Sequence, residues 1–126
     1  MTLQDFTIGQ TVCLHVIEGS NKRRSMRKDD PEKFFVSGTV EKVGRKYVEV
    51  NIGMSYAVKF DSTNNFRQGT DYSPDYELFL SREDAEREEN RIKEFRKFMD
   101  NIDRYARKIE YEDLVAINEI ISKYVN

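Results

Sequence analysis

The stretch Phe35–Phe60, FVSGTVEKVGRKYVEVNIGMSYAVKF, restricts what this chain can fold into more than any other. From Val36 to Val43 the side chains alternate, with Val36, Gly38, Val40 and Lys42 on one face and Ser37, Thr39, Glu41 and Val43 on the other. Period-two alternation marks a half-buried strand. Gly44-Arg45 interrupts it, and Tyr47, Val48, Val50 and Ile52 resume a β-branched and aromatic run, so the two segments read as a hairpin. After Gly53, the residues Met54, Tyr56, Val58 and Phe60 share one face of a third strand. Three strands joined by tight turns make an antiparallel meander, whose apolar face must be covered by other parts of the chain.

Gln10–Glu18 (QTVCLHVIE) supplies a strand ahead of the meander, with Val12, Leu14 and Val16 opposite Cys13, His15 and Ile17. Tyr76–Leu80 (YELFL) supplies one after it, with Tyr76, Leu78 and Leu80 on one face. Between them Gly19–Lys33 has no apolar periodicity and reads as a long loop, and Asp61–Asp75 reads as loop or short 3₁₀ turn. Ser81 is a good N-cap, with Glu83 and Asp84 in the first turn of a helix that runs to about Lys108. Its first two turns, REDAEREEN, are polar nearly all round and are expected to project into solvent. Then Ile92, Phe95, Phe98, Met99, Ile102, Tyr105 and Ala106 recur at helical spacing and define a stripe that must be buried. A second helix, about Tyr111–Tyr124, carries Leu114, Ile117, Ile120, Ile121 and Tyr124 on one face and folds back as an αα-hairpin. The expected architecture is α+β: a small antiparallel SH3-like β-barrel of about five strands in residues 1–80, followed by a C-terminal αα-hairpin in residues 81–126. The hairpin packs either on the barrel or on a second subunit, which makes a homodimer through the helical tail one of the expectations.

A chain of 126 residues with 15 Phe and Tyr holds enough apolar surface for a core without covalent staples. Basic and acidic residues are interspersed, and a formal net charge of −2 gives no global basic field of the kind a general nucleic-acid binder carries. Cys13 is the one cysteine, which excludes an intrachain disulfide and points to a reducing compartment. The first ten residues, MTLQDFTIGQ, do not resemble a signal peptide, and no apolar run approaches the ~20 residues a membrane span needs. A cytoplasmic location with no membrane partner is therefore expected.

Cys13 and His15 stand two apart on one strand face, as metal ligands can, but zinc needs three or four ligands and no other Cys or His exists. There is no P-loop, no G-x-G-x-x-G and no G-x-S-x-G. No catalytic residue, metal or cofactor is expected, and the chain does not read as an enzyme. The candidates for binding are charged and aromatic. Lys22, Arg23, Arg24, Arg27 and Lys28 cluster in the 19–33 loop, either as a solvated loop or as an arm for phosphates or an acidic protein groove. Lys42, Arg45 and Lys46 mark the first turn of the meander, either as a solvated hairpin tip or as an edge for a nucleic-acid backbone. Phe66, Tyr72 and Tyr76 form either an exposed aromatic surface or the rim of the core.

Three segments, Gln10–Leu14 (QTVCL), Gly38–Val50 (GTVEKVGRKYVEV) and Tyr72–Ser81 (YSPDYELFLS), resemble small, uncharacterised β-barrel domain proteins encoded by phages and mobile elements of Firmicutes. Gly38–Val50 is also similar, more loosely, to the strand-turn-strand of KOW and other SH3-like barrels that bind RNA or protein. The resemblance implies a phage-type accessory protein with no catalytic residues to carry over. It favours a non-catalytic binding module that inhibits or adapts a host protein, a defence system such as a CRISPR effector among them, as anti-CRISPR proteins do. Two further readings stand beside it: a nucleic-acid-binding small barrel, and a sponge that sequesters an anionic nucleotide signal.

Overall fold

A computed structural model of the chain describes residues 1–26 and 30–125. Six strands run β1 (Thr11–Val16), β2 (Phe35–Val43), β3 (Tyr47–Asn51), β4 (Val58–Asp61), β5 (Arg67–Gln68) and β6 (Tyr76–Phe79). They pair antiparallel in sequence order, and β6 returns to β1 through Cys13↔Phe79 and Val16↔Tyr76, which closes the barrel. Closure removes sheet edges and with them the unpaired backbone groups that invite strand addition. Three helices complete the described chain: α1 (Asn21–Ser25), α2 (Arg82–Tyr105) and α3 (Tyr111–Ser122). Two compact units result, Met1–Glu89 and Asn90–Asn126.

The barrel is filled by the inward sets of the strands: Val12, Leu14 and Val16, then Val40, Val48 and Val50, then Val58, Phe60 and Leu78. Phe6 and Phe66 plug it, their rings 5.3 Å apart. The β2 alternation does not persist to its end. The register slips between Val40 and Lys42, so Glu41 is an extra residue and Val43, expected opposite Val40, joins the core side against Val48. Such a bulge sharpens the local twist and helps a small sheet close.

Three segments differ from the sequence-based expectation. The barrel has six strands instead of about five, because Arg67–Gln68 within the expected Asp61–Asp75 loop pairs with both β4 and β6. Asn65 and Phe66 both adopt positive φ (54° and 56°), reversing the chain so tightly that only two residues remain to pair. The third strand begins at Val58, and Met54 and Tyr56 stand exposed in the loop before it. Gly53 takes φ 89° there and donates its N–H to the Asn51 side chain at 2.7 Å, which turns the chain out of β3. Finally, the 19–33 loop contains α1, whose Ser20 hydroxyl accepts the Arg23 N–H at 3.1 Å, and a 3₁₀ turn at Pro31–Phe34.

Gly38, opposite Val12 in the β1–β2 ladder, has no room for a side chain. A Cβ there would lie 2.5 Å from Val50 Cγ1 and 3.2 Å from the Asn51 carbonyl oxygen. Gly38→Ala should therefore lower the unfolding free energy by about 1–3 kcal/mol, the usual range for overpacking, seen as a reduced urea midpoint with an unchanged slope.

Candidate functional site

β1 is buried on both faces. Its outward residues Cys13 and His15 are 5% and 1% exposed, as enclosed as the inward set. An imidazole there needs a polar partner, since a buried donor or acceptor left unmade costs the full desolvation of the group. The partner comes from α2, where Glu89 Oε1 lies 2.8 Å from His15 Nε2. Arg23 of α1 closes the third side: Nη1 and Nη2 donate to the two oxygens of Glu89, both at 2.9 Å, and Nη1 also donates to the Val16 carbonyl oxygen at 3.0 Å. Aromatic rings wall the cluster. The guanidinium lies 3.4 Å from the Phe34 ring centre, and His15 stacks on Phe35 at 5.6 Å with Phe79 edge-on at 6.1 Å.

Burial by itself pushes the Glu89 carboxyl up, but the hydrogen bonds from Arg23 and His15 and the charge of the guanidinium outweigh it and hold the pKa down to about 2. The cluster spends its bonding capacity on itself, and no buried side-chain nitrogen or oxygen among the described residues lacks a partner. Its chemistry is that of a clamp: it fastens α1 and the first turns of α2 to β1. Those turns were expected to project into solvent, and the structure corrects this, since Ala85 is fully buried and Glu89 nearly so.

A cleft of about 410 Å³ opens beside the clamp between Thr11, Cys13, Phe35, Ser37, Ser81 and Arg82. Burial pushes the Cys13 thiol up, and its Sγ is 3.7 Å from the Leu14 carbonyl oxygen. Arg82 is shared between Glu32 and Glu86 at 2.5 and 2.7 Å. Among the described residues no group of three His, Cys, Asp or Glu side chains is placed to hold a metal ion.

The residues singled out from sequence divide by role. Arg23 belongs to the clamp and is withdrawn from any arm. Lys22 is half-buried with its ammonium 5.8 Å from the Tyr76 ring centre, Arg24 is exposed, and Arg27 and Lys28 lie outside the described residues. At the β2–β3 turn Arg45 is exposed, Lys42 pairs with Glu49 at 3.9 Å, and Lys46 pairs with Asp61 at 3.8 Å. The aromatic surface is corrected: Phe66 and Tyr76 are core residues at 4% and 8% exposure, and only Tyr72 stands in solvent. Phe66 turns inward because its positive φ brings the ring under Phe6, and Tyr76 because it sits in the β1–β6 ladder.

Other exposed apolar residues lie in the second unit. On the α2 portion of the second unit Phe95, Phe98, Met99 and Tyr105 are 40–56% exposed, and on α3 Leu114, Ile120 and Ile121 are 39–57% exposed. No residue of α3 is buried. A twelve-residue helix is marginal in water and ordinarily takes its stability from packing an apolar face. None of the helices is long and apolar enough to cross a membrane, among the described residues.

The buried carboxylate gives a pH dependence of known sign. Glu89 titrates near 2 in the folded chain against an ordinary 4.5, so its contribution to stability is full above pH 4.5 and is lost as the pH falls toward 2. That loss should amount to about 3 kcal/mol, since one pKa unit is worth about 1.4. Glu89→Gln should lower stability at neutral pH by a few kcal/mol by leaving the buried guanidinium without its counter-charge, and should flatten the acid limb of the stability profile relative to wild type. Urea titrations of both proteins between pH 2 and 7 would measure it.

The family model described as the Phage ProQ C-terminal-like domain matches residues 1–124, and the chain belongs to that family. Neither curated proteins nor solved structures give a match.

Proposed function

We propose that this member of the Phage ProQ C-terminal-like family is a non-catalytic binding module that works by associating with another protein. The observation that carries the reading is the open apolar surface of residues 90–126, where α3 buries none of its side chains. The closed barrel supports it, because a sheet without edges recruits no strand and leaves association to side chains. The clamp supports it as well, since its ionisable groups are mutually satisfied and serve to hold the start of α2 in place.

Membership of a phage family supports a host protein as the target class, which a small β-barrel with a helical tail would inhibit or adapt. Defence effectors fall within that class, and the likeness to small barrel proteins of Firmicutes phages and mobile elements points the same way. A nucleic-acid partner has less support: Lys42 and Lys46 share their charge with Glu49 and Asp61, and the net charge is −2. A reading as a sponge for an anionic nucleotide meets the same objection at Arg82, which two carboxylates already hold.

The test is affinity capture by the tagged full chain and by a Leu114→Glu/Ile121→Glu variant from bacterial lysate, each with and without nuclease. A discrete protein retained in stoichiometric amount by the wild type, resistant to nuclease and reduced tenfold or more by the variant, is the expected result. Capture of nucleic acid equally by both chains, removed by nuclease, would overturn it.

A further inference from the structure

The apolar residues of the second unit follow a stricter rule than simple amphipathicity. Along α2 and the turn after it, Ile92, Phe95, Met99, Ile102, Ala106 and Ile109 step by three and four residues in alternation. Along α3, Leu114, Ile117, Ile121 and Tyr124 do the same. This is the a/d seam of helices that pack side by side, with each knob entering a hole on the facing helix. Much of the seam stands open, with Phe95 56% exposed, Met99 44%, Ile121 44% and Tyr124, just past α3, 81%, while Ile92, Ile102, Ile109 and Ile117 are half-buried.

The charges beside the two seams are opposite. Residues 91–108 carry seven basic side chains against three acidic ones, whereas α3 carries Glu112, Asp113 and Glu119 and no basic residue. A basic-flanked seam and an acidic-flanked seam on one chain are complementary to each other, and a second copy presents both. Two copies related by a two-fold axis satisfy both seams at once, which is the self-complementarity an isologous interface requires. The 37 residues of the unit are also of the right extent, since one side of a standard interface takes about 20–30 residues. The barrel unit offers no comparable match: its exposed large apolar residues are Met1, Ile8, Met54, Tyr56 and Tyr72, in loops, turns and the N-terminal segment.

We infer that the helical units of two copies of this chain pair into a four-helix bundle, α2 of each copy packing its seam against α3 of the other. This rests on the association role given above to residues 90–126 and names the second copy as the occupant of that surface.

Sedimentation of the full chain over a hundredfold concentration range tests this, with two charge variants. One carries Lys93→Glu, Lys97→Glu and Arg104→Glu, making both helices acidic; the other carries Glu112→Lys, Asp113→Lys and Glu119→Lys, making both basic. Wild type is expected at twice the monomer mass, each variant alone to dimerise at least tenfold more weakly, and an equimolar mixture of the two to recover the dimer. Recovery on mixing cannot come from pairing within one chain. A wild type that stays monomeric throughout overturns the inference, and so does a dimer that both variants form as well as wild type does. In either case a Leu114→Glu/Ile121→Glu chain that loses its captured protein keeps the association role standing, whereas unchanged capture removes that as well.

Discussion

The structure depends on one strand being buried on both faces. β1 pairs with β2 on one side and β6 on the other, so it closes the barrel, and it lines the core through Val12, Leu14 and Val16. Its outer face carries His15, a group that cannot be enclosed without a hydrogen-bonding partner. The partner is a carboxylate 74 residues away, and that carboxylate in turn needs the guanidinium of Arg23. One polar requirement on one strand thereby fixes where α1 and the start of α2 lie. Replacing such a buried pair with apolar residues often costs nothing, so what the clamp contributes is placement more than net stability.

From that placement follows the division of labour along the chain. Up to Glu89 the polypeptide is organised around a filled, closed barrel, and its exposed apolar residues are isolated loop and turn positions of the ordinary kind. Beyond Glu89 the relation inverts: the helices are regular, their apolar residues are periodic, and nothing in α3 is buried. A stretch with the pattern of packed helices and the exposure of a surface is what the proposed association role rests on.

Much of the barrel was legible in the order of residues. The alternation of Val36 to Val43, the β-branched run from Tyr47 and the short YELF segment each became strands, because side chains in an extended chain must alternate between core and solvent. The Ser81 cap was legible too, and its hydroxyl accepts the Asp84 N–H at 3.1 Å. β5 was not, since two residues have no period and owe their pairing to a reversal at Asn65 and Phe66. Tyr76 and Phe66 left both a surface and a core reading open, because an aromatic beside a turn is placed by the ring it meets and not by its neighbours in sequence.

The clamp shows where local reading ends. His15 lies on an otherwise apolar strand face, but REDAEREEN carries no mark distinguishing Glu89 from the solvated carboxylates around it. Pattern and propensity by themselves determined most of the strands, the Ser81 cap and the two apolar seams, since those follow from the period of the backbone and the chemistry of adjacent residues. Only the tertiary structure decided which carboxylate is buried, which arginine leaves the basic loop to hold it, and which aromatics turn inward. Those outcomes depend on contacts between residues far apart in the chain, where desolvation has to be matched group by group.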